Sequence, residues 1–188
     1  VYKRQELTES LKGLPTRTTQ FGRFDKGLAY TILMKYYMHE KNWAKAEECG
    51  RELLKAEYGY GLMDRYADIF TLENEGNKEI IFACTEERGT NLQLWHDHAL
   101  PGNYPTKNAS IQKWDGYKVP WPFYRTFEEG DDRLSVLVGE YVGTDGVLFN
   151  EESDIAKHGN LYSGAVPVKY GEDPESTGDG SQIDLVVY

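Results

Sequence analysis

The residues with the clearest potential for chemistry lie in one segment, residues 95–117, which is rich in Trp, Tyr, His, Asn and Asp. Trp95, Tyr104 and Trp114 supply flat rings on which the C–H faces of a sugar can stack. Polar side chains suited to sugar hydroxyls accompany them: Asp97, His98, Asn103, Asn108 and Asp115. We therefore predict a carbohydrate site. Its residues are Trp95, Asp97, His98, Asn103, Tyr104 and Trp114.

The same rings have an alternative role, which the sequence leaves open. Aromatic residues in a long loop also pin that loop onto the rest of a protein, because their large apolar faces pack well. Residues 86–122 contain many Gly, Pro, Asn, Trp and His residues and show no sustained periodicity. A run of this length without regular structure is typical of a functional loop region.

Metal and cofactor chemistry is poorly supported. His96 and His98 have the spacing of a metal pair on a strand, but His39 and His158 are remote and no third ligand is evident. The acidic segment 171–184 has enough carboxylates for Ca²⁺, yet it lacks the ligand order of an EF-hand. We predict neither a metal nor a cofactor.

The sequence also argues against catalysis. Glu128, Glu129, Asp131 and Asp132 are neighbours in the chain, whereas a glycosidase needs two carboxylates that face each other across a cleft. We interpret them as a solvated helix end, with Asp132 and Arg133 tethering the next segment. The Ser and Cys residues lack a visible His/Asp arrangement, and no glycine-rich phosphate loop follows a strand.

Charge excludes one class of partner. The chain has a net charge of −10, and residues 127–188 hold 14 Asp and Glu against 3 Lys and Arg. Such a surface repels phosphate backbones, so nucleic acid is not an expected partner. Cys49 and Cys84 lack metal-site spacing and are predicted to be buried free thiols.

No apolar run approaches the length of a membrane span, and the charged first residues do not form a signal peptide. The first residue is not Met, and the chain ends in an apolar run. We expect a soluble piece of a longer protein.

Periodicity predicts helices over 2–14, 24–40 and 43–56. The second and third are joined by four polar residues, which favours an antiparallel hairpin. Asn42 is expected to cap the third helix. Its inward-facing line is predicted from large and small apolar positions: Trp43, Ala46, Gly50, Leu53 and Leu54.

The remaining elements are shorter. Asp64 is predicted to cap a helix over 65–70 that turns Tyr66, Ile69 and Phe70 inward, and a helix over 121–129 should bury Phe123 and Phe127. Strands are predicted at 79–84, 134–138, 147–149, 166–170 and 183–187. The segment 171–182 is predicted to be a mobile surface loop. We predict a mainly α fold with tetratricopeptide-like helical hairpins, a loop-rich face and a few short strands. It would be one partial domain, 1–188, with segments 1–84, 85–122 and 123–188.

Several short motifs occur in an order that resembles the SusD/RagB family of surface glycan-binding lipoproteins. They are Lys26-Gly27-x-Ala29, Leu33-x-Lys35-x-Tyr37, Asn42-Trp43-x-Lys45-Ala46, Tyr60-x-Leu62, Tyr66-Ala67-Asp68-Ile69-Phe70, Asn77-Lys78-Glu79-Ile80-Ile81-Phe82, and Phe127 followed by Asp132-Arg133. The likeness covers residues 22–82 well and 121–188 loosely. It leaves residues 86–120 unmatched.

The resemblance implies helical pairs that support a loop-rich face, on which oligosaccharide or polysaccharide binds by aromatic stacking. It implies a non-enzymatic protein at the surface of the cell outer membrane that caps a TonB-dependent, SusC-like transporter. Contact with the membrane would be through a lipid anchor that this chain lacks. The alternatives are a helical-repeat scaffold for protein or peptide partners and, third, a hydrolase acting on glycans.

Overall fold

The computed structural model describes residues 2–157 and 159–188, and the chain separates into two compact units. Unit 1 comprises Val1–Met63, Gly76–Thr85 and Leu185–Tyr188; unit 2 comprises Asp64–Glu75 and Glu86–Asp184. These units are defined by contacts, whereas the predicted segments 1–84, 85–122 and 123–188 follow the chain. The assignment of one partial domain therefore stays a prediction.

Helices outweigh strands in both number of residues and length, which agrees with the predicted mainly α class. The α-helices are α1 (Tyr2–Ser10), α2 (Lys26–His39), α3 (Trp43–Leu53), α4 (Trp95–Ala99), α5 (Trp121–Tyr124) and α6 (Glu151–Lys157). The strands are β1 (Ala83–Cys84), β2 (Val119–Pro120), β3 (Leu137–Val138), β4 (Glu140–Val142), β5 (Leu148–Asn150), β6 (Gly164–Pro167) and β7 (Leu185–Val186). Short 3₁₀ helices lie at Ala56–Tyr58, Tyr66–Phe70, Leu72–Asn74 and Asp132–Val136.

The helical hairpin of unit 1 is confirmed, since α2 and α3 pack against each other across a three-residue connection. Lys41 takes a left-handed conformation there, with φ of 58°. Asn42 caps α3 as predicted, because its Oδ1 accepts a hydrogen bond of 3.3 Å from the Lys45 N–H. The tetratricopeptide character of this hairpin stays a prediction.

The inward face of α3 differs from the predicted line. Ala46, Cys49 and Leu53 are buried, whereas Trp43 and Leu54 are 62% and 83% exposed. The two exposed residues lie at the first position of α3 and just beyond its last, and they line an open groove with Met34 and Met38 of α2. The burial of Cys49 is confirmed, but the burial of Cys84 is wrong: this thiol is exposed on the two-residue strand β1.

The start of α2 explains two of the quoted motifs. The carboxylate of Asp25 caps the helix, accepting from the Leu28 N–H at 3.0 Å and from the Thr18 N–H at 3.1 Å. The ring of Tyr60 lies directly over Gly27, and a Cβ atom at that glycine would come within 2.0 Å of the Tyr60 hydroxyl oxygen. Only a residue without a side chain leaves room for this ring.

Unit 1 also contains a two-stranded antiparallel sheet, in which Ala83 of β1 pairs with Val186 of β7. The predicted strand at 79–84 is therefore shorter than expected, and so is that at 183–187. In unit 2, the helix predicted over 65–70 is the 3₁₀ helix Tyr66–Phe70, which buries Ile69 and Phe70 as predicted and leaves Tyr66 half-buried. No side-chain hydrogen bond caps this helix, so the predicted role of Asp64 is wrong.

Unit 2 is built around β6, which pairs antiparallel with β2 on one side and β3 on the other. The strands β4 and β5 form a separate antiparallel pair. The buried core around β6 consists of Ala99, Leu100, Ile111, Trp121, Tyr141, Leu161, Ala165 and Val166. All four residues of β6 are buried, so buried and exposed positions do not alternate along this strand. This pattern is expected where neighbouring elements cover both faces of a strand.

Three predictions in unit 2 are wrong. The strand expected over 134–138 is mostly the 3₁₀ helix Asp132–Val136, followed by the two-residue β3. The helix expected over 121–129 is only the short α5, whose buried ring is Trp121, while Phe123 is exposed. The indole N–H of Trp121 donates to the Leu161 carbonyl at 3.0 Å, which makes its burial favourable. The predicted surface loop 171–182 is partly buried, because the Asp173 carboxylate accepts from Arg88 at 3.1 Å and from the Gln182 N–H at 3.0 Å.

None of the helices within residues 2–157 and 159–188 combines the length and the apolar character that crossing a bilayer requires.

We predict that Gly27→Ala lowers the free energy of unfolding by about 1–3 kcal/mol, the usual cost of overpacking. In an open helical position the same change stabilises by up to about 1 kcal/mol, so the sign of the effect reports the contact with Tyr60. Gly13→Ala, in the turn after α1, is the control for a methyl group added without a clash, since the nearest atom to its Cβ is 4.0 Å away. Urea unfolding followed by helical circular dichroism measures both. A Gly27→Ala variant as stable as the parent would contradict the packing described.

Candidate functional site

The candidate site begins at the short helix α4, whose end is bonded to the backbone of residues 114–117. The Trp114 N–H donates to the Asp97 carbonyl at 2.6 Å, and the Tyr117 N–H donates to the His98 carbonyl at 2.7 Å. The Asp115 N–H reaches the Leu100 carbonyl at 3.0 Å. The last carbonyls of a helix lack partners inside it, so this loop supplies them. Asp115 turns the chain through a left-handed conformation, with φ of 56°.

This arrangement brings four rings together, which we call the ring cluster: Trp95, His98, Trp114 and Tyr117. The imidazole of His98 stacks on Tyr117 with centroids 4.9 Å apart, and it meets Trp114 edge-on at 4.8 Å. Trp95 contacts Tyr117 from the other direction, at 5.5 Å. The distances lie in the range of favourable aromatic pairs.

The cluster has an exposed part and an anchored part. Trp114 and Tyr117 are 45% and 43% exposed, so their rings are available to a ligand. Trp95 is half-buried and packs against the core of unit 2, with its indole N–H donating to the Pro167 carbonyl at 2.8 Å. Beside the exposed rings, Asp115 forms an ion pair with Lys118. The rings and this pair provide apolar faces and hydrogen-bonding groups next to each other.

Of the predicted site residues, the structure therefore joins Trp95, His98 and Trp114. Asp97 lies apart from them, is fully buried, and accepts a hydrogen bond of 2.7 Å from the Gly180 N–H. Its Oδ1 has no partner among the residues described. Burial raises the pKa of the Asp97 carboxyl above its usual value. In this conformation a ligand has no access to Asp97.

Asn103 and Tyr104 also lie outside the ring cluster. The Asn103 Oδ1 accepts from the Tyr141 hydroxyl at 2.9 Å and from the Asn160 amide at 2.6 Å. The Tyr104 ring packs on Tyr141 with centroids 5.0 Å apart, at the edge of the core. Asn108 likewise holds the chain, donating to the carbonyls of residues 173, 174 and 176. For these residues, pinning the loop explains the observed contacts.

Tyr117 was not among the residues selected from the sequence, although it ends the segment from which they came. The available signal was its spacing. Trp114 and Tyr117 flank an Asp-Gly pair, and such pairs favour tight turns that bring their neighbours onto one side. The partner that completes the cluster, His98, lies too far along the chain for that local argument.

A cavity of about 190 Å³ lies on another side of Trp95, lined also by Tyr104, Tyr170 and Glu172. Binding pockets for small molecules usually measure about 300–1,000 Å³, so this space is small for an oligosaccharide. A larger groove of about 580 Å³ in unit 1 is lined by Leu7, Phe24 and other apolar side chains. It offers few groups to sugar hydroxyls. Two open clefts of unit 2, of about 690 and 840 Å³, have more polar linings, which include Glu140 and Asn150 in one and Lys107 and Asn108 in the other. Neither is lined by an exposed aromatic ring, and we select the ring cluster because it has two.

The described residues contain no group of three or more His, Cys, Asp or Glu arranged to hold a metal. His96 is buried and its Nε2 lies 2.9 Å from the Gly171 carbonyl, whereas His98 belongs to the ring cluster. The two imidazoles therefore have different surroundings. His158, considered as a third ligand, lies outside the described residues.

Of the four carboxylates at 128–132, Glu128 and Glu129 are exposed, whereas Asp131 and Asp132 make structural contacts. Asp131 caps the 3₁₀ helix Asp132–Val136 and pairs with Arg133 at 2.5 Å, which lowers the pKa of its carboxyl. The Asp132 carboxylate accepts from the Tyr66 N–H. The predicted tether of Asp132 to the next segment is therefore wrong for its carboxylate, which bonds a residue 66 positions earlier in the chain.

Comparison with known proteins identifies the fold of the chain. No model of a known protein family matches the sequence, and neither does a curated protein. Solved structures do match. Surface glycan-binding protein A from Bacteroides thetaiotaomicron has 18% identity and a TM-score of 0.70 over 98% of this chain and 45% of its own. Its complex with laminarihexaose gives 17% identity and a TM-score of 0.72, with the same two coverages of 98% and 45%. A SusD superfamily protein from Bacteroides fragilis has 16% identity and a TM-score of 0.68, over 98% of this chain and 43% of that one.

The chain has a SusD-like fold. The resemblance predicted from the motifs is thus confirmed at the level of the fold. The chain spans less than half the length of these solved SusD-like proteins.

We predict that Asp97→Asn stabilises the protein near neutral pH, because Asn keeps an acceptor for the Gly180 N–H and removes a buried charge. The folded-state pKa of Asp97 is raised, so its contribution to stability is present below the unfolded pKa and is lost as pH rises through the folded value. The advantage of Asn should therefore shrink as pH falls to about 4. Melting temperature across that pH range measures it.

Asp131→Asn is the matched control with the opposite sign. Arg133 lowers the pKa of Asp131, so this change should destabilise the protein at neutral pH. The effect should be small because the ion pair is partly exposed, and it should disappear in acid. Identical pH profiles for the two variants would contradict the assignment for Asp97.

Proposed function

We propose that this chain is part of a SusD/RagB family protein that binds oligosaccharide or polysaccharide at the cell surface without acting on it. The observation that carries the proposal is the ring cluster on a SusD-like fold. Trp114 and Tyr117 expose flat faces next to the Asp115–Lys118 pair. Sugars present apolar C–H faces and hydroxyls together, and this surface matches both.

The similar structures support the same class of function. Two of them are structures of one surface glycan-binding protein, and one of these is its complex with laminarihexaose. We further propose, from the family resemblance, that the whole protein is lipid-anchored at the outer membrane and passes its ligand to a TonB-dependent, SusC-like transporter.

The alternative function, a helical-repeat scaffold for protein or peptide partners, has weaker support. The α2–α3 hairpin is followed by short 3₁₀ helices and the strand β1. A second helical pair of comparable length does not occur among the described residues, although a repeat array requires stacked copies.

We expect Trp114→Ala and Tyr117→Ala each to weaken glycan binding by about 1–3 kcal/mol, by analogy with stacking of bases on aromatic rings. Both should leave the melting temperature nearly unchanged, as surface changes usually do. Trp95→Ala should instead destabilise by about 3 kcal/mol, the lower end for truncation of a large aromatic residue, because the ring packs on the core and bonds Pro167. Calorimetric titration against a glycan panel and thermal melts measure the two effects.

Phe123→Ala is the control for this set, since Phe123 is 58% exposed in unit 2 and lies outside the ring cluster. It should keep glycan affinity. If Trp114→Ala and Tyr117→Ala retain full affinity, the ring cluster is not the binding surface. If they instead lower the melting temperature sharply, the rings pin the loop.

We also expect no release of reducing ends from any glycan that binds, because Asp131 and Asp132 are held by Arg133 and Tyr66. A reducing-sugar assay over a long incubation checks this, with heat-denatured protein as the blank. Turnover that disappears in Asp132→Asn would contradict a purely binding role.

A further inference from the structure

The charge of the chain is distributed unequally between the two units. Unit 2, which holds the ring cluster, contains 9 Lys and Arg against 22 Asp and Glu, a net charge of −13. Unit 1 contains 12 Lys and Arg against 9 Asp and Glu, a net charge of +3. The negative potential is therefore concentrated on the unit where a glycan would bind.

The arginines of unit 2 are committed to acidic partners. Arg88 pairs with Asp173 at 3.1 Å, and Arg133 pairs with Asp131 at 2.5 Å. The other two form ion pairs as well, Arg65 with Asp68 and Arg125 with Glu151. Guanidinium groups are the usual recognition elements for ligand carboxylates and sulfates, because their forked donors match those oxygens. Here each guanidinium already contacts a carboxylate.

The lysines near the ring cluster have partners too. Lys118, which lies next to Tyr117, forms an ion pair with Asp115 and has a side chain only 10% exposed. The ammonium of Lys113 donates to the Tyr104 carbonyl at 2.8 Å. Lys169 is half-buried, with its ammonium 4.2 Å from the centroid of the Phe70 ring, and burial lowers the pKa of this amine. These cations stabilise the protein itself.

We infer that the ring cluster selects uncharged glycans over glycans that carry carboxylate or sulfate groups. This inference rests on the proposed function and names its ligand class. A neutral sugar needs stacking faces and hydrogen bonds, which Trp114, Tyr117 and the partly exposed Asp115 carboxylate provide. An anionic sugar would enter a negative potential, and at the ring cluster it would have to compete with Asp115 for the Lys118 ammonium.

The test compares each neutral polymer with a charged form of the same polymer. The probes are an α-glucan, a β-glucan and a galactomannan, each also with its primary alcohols oxidised to carboxylates, and the oxidised forms again as methyl esters. Affinity is measured by affinity electrophoresis and calorimetry with the full chain. At about 10 mM salt, where charges act over roughly 30 Å, the oxidised form should bind at least about tenfold more weakly than the neutral parent.

Two further readouts separate charge from shape. Raising the salt concentration should strengthen binding of the oxidised polymer and leave the neutral one unchanged, since only the repulsion is screened. The methyl ester, which has the extra atoms without the charge, should bind like the parent. An ester as weak as the acid would overturn the inference, because size would then explain the loss.

An oxidised polymer that binds as tightly as its parent, or whose binding weakens with salt, would also overturn the inference while leaving glycan binding in place. Failure of every polymer in every form to bind is a distinct result, and it would overturn the proposed function together with the ligand class derived from it.

Discussion

The candidate surface depends on the hydrogen bonds between the end of α4 and the backbone of residues 114–117. A helix of five residues leaves its carbonyl groups without partners, and the N–H groups of Trp114, Asp115 and Tyr117 satisfy them. The same bonds fix where the two rings of this turn point. His98 lies between those rings, so backbone pairing and ring packing stabilise one arrangement.

Unit 1 depends on a contact that is equally specific. The hydroxyl of Tyr60 lies over the first turn of α2 where Gly27 provides space, and Asp25 caps that turn. Burial raises the pKa of Tyr60 to about 12. The motifs that resemble the SusD/RagB family include both Gly27 and Tyr60. Their presence in the sequence therefore has a steric reason.

Local features of the sequence predicted more of unit 1 than of unit 2. The α2–α3 hairpin and its Asn42 cap follow from periodicity and capping, which act within a few residues. In unit 2 the decisive contacts are distant: Asp97 bonds Gly180, 83 residues away, and Trp95 bonds Pro167, 72 residues away. Periodicity carries no information on such pairs. That is why Asp97 was predicted to face a ligand and is instead buried.

The central claim is that sugars stack on the exposed rings of unit 2, and tryptophan side-chain NMR tests it most directly. The indole N–H signals report each Trp separately during titration with the tightest-binding neutral glycan. The account predicts that the Trp114 signal shifts in proportion to binding. Trp43, which is 62% exposed in unit 1, should not move. Saturable binding with an unchanged Trp114 signal, or with a shift at Trp43 instead, would contradict the account.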